Sequence, residues 1–329
     1  MKQLVLGIDL GGTDTKFAIV DNTGAILRKE KFPTETHRSI DGVMSLMAER
    51  ARYMIGDDPV LAIGLAVPAP VSSSDGMLYQ PPNLGPEWRA VKSVPVKDLF
   101  YKYLGLDLPI ILNNDANAAA WGEYWCGAGS DAKTMIMFTL GSGVGGGIVV
   151  DGKLFEGGDG AAGELGHMIV EMENGAQCGC GNKGCLEAYA SATAIKRMVG
   201  EALDRGEKTS IAIPPEGLGH LRAKEVFDAA QQGDTVAAAI IAKMTSAIGV
   251  ACGTIINIFN PDMIVFSGGI AAAGDYLFNP VREKARSIAF ERPSARAKIV
   301  PAILGNDAGI IGAAGMAFVA LGKSRRNKS

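Results

Sequence analysis

The residues best suited to chemistry fall into three groups, and the densest is CGCGNKGC over 178–185. It places Cys178, Cys180 and Cys185 within eight positions, separated by glycines that let the backbone wrap tightly, with His167 eleven residues upstream. Three thiolates and an imidazole complete a tetrahedral zinc shell with no position left open, so the metal expected here is structural. Such sites contribute roughly 10–16 kcal/mol of apparent folding energy in small zinc peptides, enough for the loop to depend on its metal. Reduced core cysteines are the alternative, and Cys126 and Cys252, in helical apolar surroundings, read that way.

The second group is glycine turns. Backbone N–H groups hold a phosphate only where no Cβ blocks the approach. Three stretches qualify: Asp9-Leu10-Gly11-Gly12-Thr13, Leu140-Gly141-Ser142-Gly143 and Ser267-Gly268-Gly269. The first two add a hydroxyl, Thr13 or Ser142, and Asp9 is placed to position a metal ion through water. Gly141, Gly143 and Gly146 also match the spacing of a dinucleotide fingerprint, but that motif needs a helix after the turn and 148–152 continues as a strand. Neither the companion motifs of a protein kinase nor a P-loop is present. One glycine turn alone reads as a tight hairpin. Two in equivalent places, with Asp9 in the first, point to a triphosphate.

The third group is carboxylates and amides. Asn113-Asn114-Asp115-Ala116-Asn117 ends a buried strand and opens a helix, the place where open α/β sheets bind ligands. Asp115 is suited to accept the proton of a hydroxyl attacking a γ-phosphorus. By itself it reads more readily as a helix N-cap. Glu164, His167 and Glu187 are anchored to the thiol loop, and carboxylates with an imidazole suit the vicinal hydroxyls of a sugar. His167 can serve twice, one ring nitrogen on zinc and the other towards sugar. Asn83, in Pro81-Pro82-Asn83-Leu84, adds a loop amide. Singly, each reads as a solvated surface residue.

The elements that must position these groups form an α/β pattern that repeats. Short apolar strands are expected at 4–9, 17–20 and 25–31, joined by a glycine turn and a hairpin, and again at 134–140, 146–150 and 153–156. Further strands are expected at 61–67, 109–113, 263–267 and 298–304, and helices at 116–125, 235–257 and 309–321. Asp234 caps the long helix, Asn260-Pro261 stops it, and the last helix returns to the first half. The domains expected are 1–118 with 308–329, and 119–307 carrying the zinc loop.

A chain of 329 residues, 47% hydrophobic and 20% charged, has room for two cores. A net charge of −3 gives no general attraction to nucleic acid or anionic lipid, and the run Lys323, Arg325, Arg326, Lys328 reads as a solvated tail. The N-terminus lacks the pattern of a signal peptide, and the apolar stretch 247–259 is too short to span a bilayer. A cytoplasmic protein with reduced thiols is expected, with no membrane partner.

At these residues the sequence resembles the ROK family of bacterial sugar kinases and repressors, and within it the glucokinases. Residues 9–16 (DLGGTDTK) and 140–147 (LGSGVGGG) resemble its phosphate motifs, 114–117 (NDAN) its catalytic segment, 164–167 (ELGH) its sugar motif and 178–187 (CGCGNKGCLE) its zinc signature. The resemblance implies a duplicated actin-like, ribonuclease-H-like α/β fold of two domains, with sugar and nucleotide in the cleft between them. It implies ATP and Mg2+ at Asp9, Gly11, Gly12, Thr13, Lys16, Gly141, Ser142 and Gly143, with Gly268 and Gly269 near the adenosine. It implies Asp115 as base and Asn83, Asn114, Asp115, Glu164, His167 and Glu187 on a hexose, most simply D-glucose. It also implies zinc on His167, Cys178, Cys180 and Cys185, and a homodimer or homotetramer. Two positions depart from the family pattern: Ala69 stands where Gly is common, and Ser142 where Thr is common. Other hexoses (N-acetylmannosamine, fructose, mannose, allose) are the main alternative. A sugar-sensing repressor would carry a DNA-binding segment ahead of the first phosphate motif. An actin- or chaperone-like ATPase would leave the zinc loop without a purpose.

Overall fold

The computed structural model describes residues 2–72, 75–79 and 84–322. Asn83 and the basic run from Lys323 lie outside the described residues. The chain divides into two compact units. The first comprises Met1–Asp131, Gly147–Gly163 and Ile303–Ser329, the second Ala132–Gly146 and Glu164–Ala302.

Strands β1 (Leu4–Leu10), β2 (Asp14–Asp21) and β3 (Ile26–Pro33) form the first meander. β1 is buried along almost its whole length, as an inner strand must be, whereas β3 exposes its charged positions at the sheet edge. The β2–β3 turn is set by Asp21, whose Oδ1 accepts from the N–H groups of Thr23 (2.9 Å) and Ala25 (3.1 Å). Strand β4 (Val60–Val67) follows, then a small sheet of β5 (Val71–Ser72), β6 (Met77–Tyr79) and β7 (Ser93–Val94), and then β8 (Ile110–Asn114). The main sheet has the order β3-β2-β1-β4-β8, with β1–β4 and β4–β8 parallel. Helix Ile40–Ile55 starts at a Ser39 cap (3.1 Å to Gly42 N) and buries Val43, Met44, Met47, Ala48 and Ala51 at helical spacing in the unit's core.

The second sheet contains β9 (Met135–Leu140), β10 (Val144–Val150), β11 (Lys153–Leu154), β12 (Met263–Ser267) and β13 (Lys298–Pro301) in the order β11-β10-β9-β12-β13. β9–β12 and β12–β13 are parallel, so both sheets follow the same order and sense. This is the duplicated arrangement that the two glycine-turned meanders point to. In the second core Phe138 stacks on Phe266 (5.0 Å between ring centroids), and Phe278 meets Phe266 edge-on. Each such ring stabilises the fold by roughly 1.5–3 kcal/mol through burial.

Helix Thr235–Phe259 is long and apolar enough to cross a membrane, and longer than the apolar stretch 247–259 read from the sequence. It buries Ile240, Ile241, Met244, Ile248, Cys252 and Ile255 against its neighbours in the second unit, as a core helix does. Its Asp234 cap accepts from Ala237 N at 2.8 Å. Helix Ala308–Ala320 lies on β1, β4 and helix Asp115–Cys126 within the first unit. That packing depends on backbone contact: a Cβ on Gly312 would stand 1.6 Å from Ala118 O, and one on Gly122 2.4 Å from Ala308 O. Several expected ends shift by a few residues, and 298–304 is a strand only over Lys298–Pro301.

Candidate active site

In the first unit, Asp9 and Lys16 face each other across the β1–β2 ladder. Lys16 Nζ donates to Asp9 Oδ2 at 2.9 Å and to Asn306 O at 3.1 Å. The turn between them is built from its own backbone: Gly11 N donates to Asp14 O (3.1 Å), and Gly11 O accepts from Thr34 Oγ1 (2.7 Å). Thr34 N then reaches Thr13 O at 2.9 Å, and a buried Thr15–Thr34 hydroxyl bond (2.8 Å) fixes the base. Asp9 packs so closely on helix Ala308–Ala320 that a Cβ on Gly309 would lie 3.0 Å from its Oδ2. A cavity of about 620 Å3 opens here, with Gly11, Thr13, Lys16, Lys29 and Lys31 among its lining residues. Asp14, Glu30 and Asp307 line it too, and each lysine is paired, Lys16 with Asp9, Lys29 with Asp307 and Lys31 with Asp14, so it is the glycine turn that suits a phosphate here. Gly12 sits in the same turn, half-buried.

At the end of β8 the structure separates the two readings of the Asn-Asp segment. Asn114, not Asp115, caps helix Asp115–Cys126: its Oδ1 accepts from Ala116 N (2.9 Å) and Asn117 N (3.3 Å). Its Nδ2 donates to Ala69 O at 3.1 Å, tying the cap to the residue that stands in place of the family's glycine. Asp115 therefore occupies the first helical position, where the helix dipole favours its charge. Sequence reasoning missed what lies behind it. Asn113 Oδ1 accepts from Asn117 Nδ2 (3.2 Å) and Asn114 N (2.8 Å), while Asn113 Nδ2 donates to Glu156 Oε1 (2.7 Å). The run Asn-Asn-Asp-Ala-Asn hinted at the amides; nothing local pointed to Glu156, 43 positions away from Asn113.

In the second unit the turn between β9 and β10 closes with Gly141 N donating to Gly143 O at 3.0 Å, leaving Ser142 exposed. Glu187 Oε2 accepts from Val144 N at 2.9 Å, and Glu187 Oε1 lies 3.6 Å from the Cys178 thiol. One carboxylate thus joins the glycine turn to the cysteine loop. Gly268, at φ +91°, packs against the strand leading into that turn, where a Cβ would meet Leu140 O at 2.3 Å. Gly269 opens the short helical turn Gly269–Ala273.

The ligand atoms of His167, Cys178, Cys180 and Cys185 all lie within 4.8 Å of one another. Cys180 Sγ is 3.6 Å from Cys185 Sγ, and His167 Nδ1 is 3.8 Å from Cys178 Sγ. A zinc tetrahedron with Zn–S near 2.3 Å sets its ligand atoms about 3.5–3.8 Å apart, so these residues fit that ion. A disulfide, at about 2.05 Å, does not describe the Cys180–Cys185 pair. Burial, then the neighbouring thiols, pushes Cys185 up to about 12, and burial raises Cys178, whereas the Asn182 amide lowers Cys180. His167 turns its other nitrogen outward, Nε2 lying 3.9 Å from Glu164 Oε2. A separate groove of about 780 Å3, between helices Thr235–Phe259 and Asp275–Ile288, is lined by none of these residues.

The chain and its fold have similar counterparts among known proteins. A protein named glucokinase from Halalkalibacterium halodurans is 38% identical over 312 residues, 93% of this chain and 92% of that protein. Another glucokinase, from Thermotoga maritima, is 37% identical over 316 residues, 95% of this chain and 96% of its own length. Among solved structures, a ROK family glucokinase from Streptomyces griseus in complex with glucose and AMPPNP is similar with a TM-score of 0.77 and 32% identity. That match covers 95% of this chain and 98% of the other. The duplicated α/β fold is accordingly the actin-like one. The model of the ROK family matches residues 5–319, which takes in both sheets, both glycine turns and the thiol cluster, and the chain belongs to that family.

Proposed function

We propose that the protein transfers the γ-phosphoryl group of ATP to a hydroxyl of a hexose, D-glucose in the first instance, giving glucose 6-phosphate. The observation that carries this reading is Glu187, which in one unit holds the amide beside the Gly141-Ser142-Gly143 turn and reaches the loop of Cys178 and His167. A phosphate-type turn and a hydroxyl-binding cluster built together serve transfer between a phosphate and a sugar. The similarity to glucokinases supports glucose as the first acceptor to test.

In this reading Asp115 takes the proton of the attacking hydroxyl, and the amide chain from Asn113 to Glu156 holds the strand end that carries it. Glu164, His167, Glu187, Asn114 and Asn83 bind the sugar hydroxyls. The Gly11-Gly12-Thr13 and Gly141-Ser142-Gly143 turns, with Lys16, hold the phosphates, and Gly268 and Gly269 lie by the adenosine. Phosphoryl transfer needs positioning and charge neutralisation more than covalent help. Mg2+ would supply part of that neutralisation: Lys16 holds one oxygen of Asp9, and a water-mediated hold by the other fits an ion that keeps several waters. Zinc would fix the His167 ring through Nδ1 and leave Nε2 for a hydroxyl. A cytoplasmic dimer or tetramer belongs to the same reading, and light scattering on the purified protein tests the assembly.

The decisive assay is ADP release from Mg·ATP with glucose, mannose, fructose, N-acetylmannosamine or no sugar. Preference for glucose supports the reading as stated. Preference for another hexose keeps the mechanism and changes the substrate. Release indifferent to sugar refutes the kinase reading.

A further inference from the structure

The second unit holds another concentration of charge, sharing no residue with the clusters above. A cavity of about 360 Å3 lies among the end of helix Asp275–Ile288, helix Glu291–Arg296 and the start of β13. Its wall carries Arg282, Arg286, Arg296 and Lys298 beside the hydroxyl residue Ser294, and no acidic side chain lines it among the described residues. Four cations around one void repel one another, and in a chain of net charge −3 they do not reflect general basicity.

Two of the four are held in place. Arg282 donates through Nε and Nη2 to Ile299 O (3.1 and 2.9 Å) and through Nη1 to Asn279 Oδ1 (3.2 Å), with Asp275 3.5 Å away. Arg296 pairs with Asp262 at 2.6 Å, an acid that also accepts from the Lys133 and Thr134 amides. The side chains of Arg286 and Lys298 make no ion pair or hydrogen bond among the described residues. Arg286 stands in the last turn of its helix, where the dipole favours a cation. Lys298 opens the edge strand β13, where a charged side chain is usual, and what singles the pair out is that both line one cavity. Both side chains are exposed, and a guanidinium fork and an ammonium lining a pocket at the small end of the ligand-binding range match a phosphate group.

We propose that this cavity binds a small phosphate-bearing anion, inorganic phosphate or a phosphate monoester, with Arg286 and Lys298 as its principal contacts. Arg282, bonded to Ile299 O, and Arg296, paired with Asp262, flank it. The site does not depend on the kinase reading, since its test needs no turnover.

The test is amine acetylation of the zinc-loaded full chain, read residue by residue by peptide mass spectrometry. Chloride, inorganic phosphate and glucose 6-phosphate are compared at equal ionic strength. Phosphate or its ester should lower labelling of Lys298 by at least about threefold while leaving the exposed Lys208 unchanged. Arg286→Ala should abolish that protection and Arg286→Lys should keep it. Protection by both probes identifies the phosphate group as the ligand, and protection by the ester alone identifies a sugar phosphate. Equal labelling in all three solutions, or protection that survives Arg286→Ala, overturns the proposal.

Discussion

The two glycine-turned meanders share one topology and are held by different means. The turn after β1 is secured by its own hairpin and the strand beside it: Lys16 on Asp9, Gly11 on Asp14, Thr34 on both Gly11 and Thr13. The turn after β9 has no charged residue of its own: Thr193 Oγ1 donates to Ser142 O (2.7 Å) and Ala192 N to Gly141 O (2.8 Å), while Glu187, which also reaches Cys178, accepts from Val144 N. The first is secured by bonds of its own hairpin and Thr34, and the second is in addition coupled to the cysteine loop through one carboxylate. Each of the two like-ordered sheets thus carries one glycine turn, and one of these is tied to the loop that holds His167 and the thiols.

The largest expected effect falls on the first unit. Asp115→Ala should lower sugar-dependent turnover by at least ~10²-fold while calorimetry finds sugar affinity nearly unchanged. Near-normal turnover in a folded variant would remove Asp115 as the base. Next comes the coupling itself. Cys180→Ser should reduce metal content from about one zinc per chain to none and weaken sugar binding with it. In the same variant, amide exchange should quicken at Val144 and across 178–187 but not at Gly11 or Thr34, and equal quickening at both turns would erase the distinction. Gly268→Ala is a smaller perturbation of the second turn alone. Its φ of +91° and the Leu140 carbonyl at 2.3 Å should cost about 1–3 kcal/mol in urea unfolding.

The smallest effect lies away from both turns. Burial acts to raise the Asp234 carboxyl, but the amides of Ala237 and Ser210 and the hydroxyls of Thr209 and Ser210 outweigh it and hold it at about 2. A depressed folded value means stability present above the ordinary 3.8 and lost as the pH falls towards 2. Asp234→Ala should cost about 1 kcal/mol at neutral pH and flatten that acid limb of the stability profile.

Local chemistry made much of this legible. The meanders showed themselves by short apolar runs ending in Gly-Gly or Gly-Ser-Gly, and the thiol loop by its spacing. Helix Ile40–Ile55 carries a Ser39 cap and a clean apolar period, yet none of the elements expected from the sequence lies between 31 and 61. The sheet β5-β6-β7 has strands of two or three residues, too short for alternation to register. In the site, the residue types near Asp115 were apparent but the choice of cap was not, because Asn114 and Asp115 are both good caps and only backbone geometry selects one. The bonds from Asn113 to Glu156 and from Glu187 to Val144 each span 43 positions and leave no local trace.

The central claim is that the two turns serve a single transfer to sugar. It is tested most directly by ³¹P nuclear magnetic resonance of the zinc-loaded protein turning over Mg·ATP and glucose. A phosphomonoester signal coupled to the C6 protons, rising in step with ADP, is the predicted result. ADP accompanied by inorganic phosphate alone, or no reaction with any hexose, would contradict it.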